Sequence, residues 1–131
     1  MFVDTSAFYA LLDRADQYHD VVQTIYGGLA RDRRDLVTTN FVLLELHSLI
    51  TNRMSAQVAT SALFRIDAGE TIIVRGTEDD EAHARDILRQ YTDKGFSLLD
   101  ATSVAVMERL GIDTALSFDK HFAQYRWTVL G

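Results

Sequence analysis

Four acids in this 131-residue chain stand where a parallel sheet would bring them to one edge: Asp4, Glu45, Asp100 and Asp119. Asp4 follows the apolar run Phe2-Val3. Glu45 lies in the helical stretch after Leu36-Val37-Thr38-Thr39. Asp119 follows Thr114-Ala115-Leu116-Ser117-Phe118, and Asp100 opens the stretch Leu98–Leu110. In open parallel sheets, ligands bind beyond the carboxyl ends of the strands. Carboxylates gathered there repel one another: at about 5 Å and an effective dielectric near 20, each pair costs roughly 3 kcal/mol. A hard divalent cation gives that arrangement a use, because Mg²⁺ and Mn²⁺ take oxygen ligands and need no cysteine. The cation would also bring positive charge to a phosphodiester.

Each acid has a plainer reading. Asp4 can cap the first helix. Ser97-Leu98-Leu99-Asp100 matches a capping box with Asp in place of Glu. Asp119 can cap Lys120-His121-Phe122. Glu45 resists such a reading, because Val42, Leu43, Leu44, Leu46 and Leu49 surround it with apolar side chains. An acid in so apolar a helix is expected to be paired or functional. No Lys or Arg stands three or four residues away to pair with it.

The elements that would position these acids alternate. Short strands are predicted at Phe2-Val3, 36–39, 71–74, 114–118 and 127–130. Helices are predicted over 7–12, 18–29, a stretch from Phe41 through Ile50, 56–66, 78–90 and 98–110, from apolar residues at three- and four-residue steps. Gly69 and Gly111 read as helix stops. Thr71-Ile72-Ile73-Val74 is a continuous apolar run, expected of a strand covered on both faces. Helical crossovers between strands imply a parallel sheet. The fold class is therefore α/β: a single three-layer domain over residues 1–131, with a four- or five-stranded parallel sheet flanked by helices.

Composition narrows the chemistry. The chain has no Cys and no Pro, which excludes disulfide scaffolds, thiolate metal sites and a Cys nucleophile. Its formal net charge is −6, so bulk charge does not supply the basic field of a passive nucleic-acid binder. No apolar run approaches the roughly 20 residues that span a bilayer. An acid at position 4 and no basic lead argue against a signal peptide, so a cytoplasmic protein without membrane contact is expected.

The same residues carry a resemblance. Phe2-Val3-Asp4-Thr5-Ser6-Ala7, the stretch Thr38-Thr39 to Glu45, Leu98-Leu99-Asp100-Ala101 and Leu116-Ser117-Phe118-Asp119-Lys120-His121-Phe122 resemble the PIN-domain nucleases. Within that family they are similar to the VapC-type ribonuclease toxins of toxin–antitoxin pairs. The resemblance implies a Rossmann-like PIN fold and an Mg²⁺- or Mn²⁺-dependent endoribonuclease acting on RNA. It implies an acidic site of Asp4, Glu45, Asp100 and Asp119, with Asp4, Asp100 and Asp119 as direct or water-mediated ligands and Glu45 as a ligand or water-orienting base. Ser6 would position a carboxylate or bound water. Ser117 stands where the family more often has Thr, and keeps the hydroxyl. A homodimer and a small cognate antitoxin are implied as well.

Other features are less specific. Arg31-Asp32-Arg33-Arg34, Lys120 and His121 are candidate RNA contacts or solvated side chains. His19, His47 and His83 lack metal-ligand spacing. Tyr125 and Trp127 read as core. Part of the helix pair between Phe41 and Ile66 is a candidate dimer or antitoxin surface. A receiver-type signalling domain is disfavoured: Asp4 has no acidic neighbour, and the third strand runs into Arg75-Gly76 rather than an Asp. Walker A, aspartic-protease, dehalogenase-like and von Willebrand metal motifs are incomplete or absent. A PIN-fold nuclease outside a toxin–antitoxin pair, or a catalytically idle PIN-fold binding module, remains as the alternative.

Overall fold

The computed structural model describes residues 1–92, 95–120, 122–124 and 128–130. His121, Tyr125 and Trp127 lie outside them. The elements run β1 (Phe2–Val3), α1 (Thr5–Leu12), α2 (His19–Arg31), β2 (Val37–Thr39), α3 (Asn40–Arg53), α4 (Ala56–Ala68), β3 (Ile72–Val74), α5 (Glu78–Gln90), α6 (Leu98–Leu110) and β4 (Thr114–Leu116). A short 3₁₀ turn (Phe122–Gln124) and β5 (Thr128–Leu130) close the chain. No helix among the described residues is long and apolar enough to cross a membrane.

All five strands are parallel, in the order β3-β2-β1-β4-β5. The register pairs Phe2 with Val37 on one side and with Ala115 on the other. Phe2 and Val3 point to opposite faces of the central strand, and both are buried, so the sheet is covered on both sides. Phe2 stacks on Phe122 with ring centroids 6.2 Å apart. From β1 the chain winds outward through β2 to β3, then crosses back to β4 and β5. The winding direction reverses between β1 and β4, and the crevice of such a sheet opens at that reversal, beyond the strand ends.

The helices start and stop where local chemistry directs. Thr39 and Ser55 accept hydrogen bonds from the amides of Val42 and Val58 and cap α3 and α4. Thr77/Asp80 and Ser97/Asp100 form capping boxes on α5 and α6. Gly111 ends α6 at φ +68°, a left-handed conformation that favours glycine. From Asp100 to Met107 every residue of α6 is buried, so this helix forms much of the core.

Two sequence expectations need correction. The third strand is not covered on both faces: β3 is an edge strand, and Ile72 is 47% exposed. An apolar run reports hydrophobicity, not position in the sheet, and an edge strand offers its outer side to solvent. The helix after β2 is also less buried than its composition suggests. It buries Val42, Leu43, Leu46 and Ile50, while Leu44 is 68% exposed and Glu45 is exposed.

Candidate active site

Asp4 ends β1 and occupies the N-cap position of α1, yet its side chain makes no capping hydrogen bond. Its carboxylate turns toward β4 instead. Ser6 Oγ donates to Asp4 Oδ2 at 3.1 Å, and Ser117 Oγ donates to the same oxygen at 2.9 Å. The amide of Phe118 donates to Ser6 Oγ at 2.9 Å, and the amide of Asp119 donates to Ser117 Oγ at 3.1 Å. Each hydroxyl thus accepts one backbone proton and spends its own on Asp4. Both bonds land on Oδ2, so neither occupies Oδ1. The winding reversal makes this possible by setting the carboxyl ends of β1 and β4 side by side.

Asp100 serves two ends at once. Its amide donates to Ser97 Oγ and its Oδ2 accepts from the Ser97 amide, both at 3.0 Å. The capping reading is therefore correct, and the same side chain also lines a pocket with Asp4. Capping fixes the first turn of α6 and aims the carboxylate at the sheet edge.

The pocket has a volume of about 220 Å³. Asp4, Ser6, Glu45, Asp100 and Asp119 all line it, and Ser117 lies behind, holding Asp4 and Asp119. The structure thus brings all six sequence-named residues together. Glu45 stands at the exposed rim rather than in an apolar interior. Burial pushes the Asp4 carboxyl above its usual range, against the pull of the Ser117 hydroxyl and Thr5 amide; Asp100 pushes it further up. Glu45 is also raised, first by lost water on its pocket side and then by Asp4, Asp100 and Asp119, while the Thr5 hydroxyl opposes the rise. Glu45 therefore senses the other three acids.

The donor set suits a hard divalent cation, being built from carboxylate and hydroxyl oxygens. Among the described residues, no group of three or more His, Asp or Glu is drawn together into a ready ligand cage. Mg²⁺ needs no such cage, because it keeps several of its waters and commonly uses one or two carboxylates. Thr5 Oγ1 lies buried in the pocket wall facing Glu45, whose charged form it favours, and adds a hydroxyl oxygen to the donor set. The residues present fit the cation.

Several lining residues escaped the sequence reading. Arg53 is the only cation lining the pocket among the described residues. It stands two helical turns from Glu45, beyond the three- and four-residue steps of direct pairing: Glu45, Leu49 and Arg53 follow at four-residue steps along one stripe of α3. Tyr18 and Phe118 stack in the same wall, with centroids 4.4 Å apart. The other basic candidates sit elsewhere. Arg33 and Arg34 flank a separate cavity with Leu36 and Thr71, before the amino ends of β2 and β3 and so at the opposite edge of the sheet. Lys120 is exposed. His19 donates from Nδ1 to the Ala10 carbonyl, His47 meets Thr60, and His83 contacts Glu108.

Comparison with known proteins agrees with this geometry. The family profile for the PIN domain matches residues 1–127. Two relatives are the 23S rRNA-specific endonuclease VapC20 of Mycobacterium tuberculosis, from strains CDC 1551 / Oshkosh and ATCC 25618 / H37Rv. Each is 31% identical over 123 residues, covering 94% of this chain and 92% of the relative. The crystal structure of Mycobacterium tuberculosis VapC20, described as a Sarcin-Ricin loop cleaving toxin, superposes with a TM-score of 0.88 at 29% identity. The match covers 97% of this chain and 95% of that one. With a full-length profile match and an acidic pocket at the winding reversal, this chain belongs to the PIN-domain family of nucleases.

Proposed function

We propose that this chain, as a single domain over residues 1–131, is a divalent-metal-dependent endoribonuclease and the toxin of a toxin–antitoxin pair. The observation that carries the reading is the meeting of Asp4, Glu45, Asp100 and Asp119 in one pocket, with Asp4 held by Ser6 and Ser117. Asp4, Asp100 and Asp119, with Glu45, would hold Mg²⁺ or Mn²⁺ directly or through water. Such an ion, when bound, makes water more acidic and offsets the charge of the phosphodiester. Ser6 and Ser117 keep Asp4 in one orientation, which is the task of hydroxyls behind a ligand. Glu45, partly shielded and raised in pKa, orients the attacking water and takes its proton. Displacement at phosphorus forms a bond to the water oxygen and breaks the bond to the departing ribose oxygen, which takes a proton from solvent.

The name of the relative makes a ribosomal RNA loop the first substrate to try. The likeness to a VapC toxin supports the toxin role and an antitoxin partner; that the antitoxin covers the site and that the chain forms a homodimer are part of this reading. Support on the surface comes from Leu44 and Phe64, 68% and 65% exposed on α3 and α4. A cytoplasmic location accords with an RNA substrate. The test is cleavage of ribosomal RNA by the purified chain, with RNA ends mapped by sequencing. Chelation with EDTA should abolish cleavage, Mg²⁺ or Mn²⁺ should restore it, and Asp4→Asn should not respond to either ion. Cleavage undiminished by chelation overturns the reading. A catalytically idle binding module is the second reading, favoured by the lack of a ready ligand cage among the described residues. Binding of RNA without cleavage under any metal condition would establish it.

A further inference from the structure

The pocket poses an electrostatic problem for any RNA ligand. Asp4, Asp16, Glu45, Asp100 and Asp119 line it, and a phosphate arriving there meets carboxylates on several sides. A single divalent ion neutralises only part of that charge. Arg53 is the only lining residue among those described that carries a positive charge.

Its setting is specific. The guanidinium carbon lies 5.0 Å from the centre of the Tyr9 ring, a cation–π contact. Tyr9 is buried, and its hydroxyl donates to Asp13 Oδ2 at 3.0 Å, so the platform under Arg53 is anchored at both ends. Arg53 itself is exposed and forms no salt bridge among the described residues. The guanidinium also reaches the Tyr9 hydroxyl, whose charged form it favours; its five N–H donors exceed that one acceptor, and a pair of them matches two oxygens of a phosphate. Because Arg53 stands on the same stripe of α3 as Glu45, the fork is carried on a rigid element beside the acids.

We propose that Arg53 is the phosphate-holding residue of this site, taking a backbone phosphate of the RNA strand at the mouth of the acidic pocket. The proposal rests on the nuclease reading and names how that site grips its substrate. Arg53 contacts substrate rather than the reacting water, so its loss acts mainly on KM.

The experiment follows cleavage of a labelled RNA hairpin across a series of salt concentrations. Arg53→Gln should lower kcat/KM about tenfold to hundredfold, mostly through KM, as expected for a lost charge-assisted contact. The logarithm of affinity against that of salt should become shallower by about 0.7, the contribution of one phosphate contact to a single strand. Arg53→Lys should keep the salt slope while recovering only part of the affinity. Thermal melting confirms that both variants fold. A folded Arg53→Gln enzyme with unchanged KM and salt slope overturns the proposal. So does Arg53→Lys losing the slope as fully as Arg53→Gln. A parallel arm measures anisotropy of the same RNA bound to Asp4→Asn and to Asp4→Asn/Arg53→Gln. Weaker binding by the double variant supports the proposal, and equal binding overturns it. If the wild type cuts no RNA, the nuclease reading fails, and this arm still decides the role of Arg53.

Discussion

Asp4 and Asp80 are buried almost equally, 4% and 3% exposed, yet their surroundings drive their carboxyls in opposite directions. Asp80 meets a cation: Arg109 donates from Nε to Oδ1 and from a terminal nitrogen to Oδ2, both at 2.9 Å. The Thr77 amide adds a bond at 2.8 Å. The Arg109 contact holds Asp80 below the usual carboxylate range. Asp4 meets only hydroxyls, a backbone amide and other acids, and burial pushes it up. The Asp80 cluster ties α5 to α6 and stabilises the fold. The Asp4 cluster carries a charge that the metal-free protein would rather lose. The difference separates a carboxylate whose cation is supplied by the fold from one that meets no cation among the described residues, as expected of a ligand for an added ion.

The largest effect should come from removing the Asp4 charge. Asp4→Asn should reduce RNA cleavage by roughly a hundredfold to a thousandfold or more. It should also raise the melting temperature of the metal-free protein, since one repelling buried charge is gone. A fall in metal-free melting temperature with full activity would erase the contrast. Ser117→Ala should cost about tenfold to hundredfold in cleavage or metal affinity, measured by metal titration, because the hydroxyl acts through Asp4.

Asp80→Ala should show the reverse profile. Losing its capping role alone costs about 1 kcal/mol, roughly 3–5 °C in melting temperature for a chain of this size, and loss of the Arg109 contact adds to it. Cleavage per folded molecule should be unchanged, checked by kinetics well below the transition.

The smallest effect is in pH dependence and sharpens the comparison by sign. Asp4's folded pKa is raised, so its contribution to stability is complete below the ordinary aspartate value of 3.8 and is lost as pH rises through the raised value. Asp80's folded pKa is lowered, so its contribution is present above 3.8 and is lost as pH falls through the lowered value. Metal-free melting curves should therefore show Asp4→Asn gaining over wild type as pH rises. Asp80→Ala should trail wild type above 3.8 and approach it in acid. A gap of one sign for both variants would contradict the assignment.

Asp80 and Asp100 show how far local sequence reaches. Thr77-Glu78-Asp79-Asp80 and Ser97-Leu98-Leu99-Asp100 are the same capping motif, and both form it. The motif is legible because a cap involves residues three apart. That one Asp then meets Arg109 and the other lines the pocket depends on which helices pack together. The same limit hid Arg53, whose role rests on Tyr9 from α1 rising beneath it. It also hid the exposure of Ile72 and Glu45, since hydropathy along a chain does not say which side of an element finds a neighbour.

The sequence by itself determined the alternation of strands and helices, the caps, the absence of thiol chemistry and the identities of the acids at the strand ends. Each of these depends on residue type and short spacing. Tertiary structure alone decided that β1 and β4 lie side by side, so that Ser6 and Ser117, 111 residues apart, close on one oxygen of Asp4. It also decided that Arg53 stands on Tyr9 beside the acids. Such contacts form only when the winding of the sheet reverses, and no local propensity encodes a reversal.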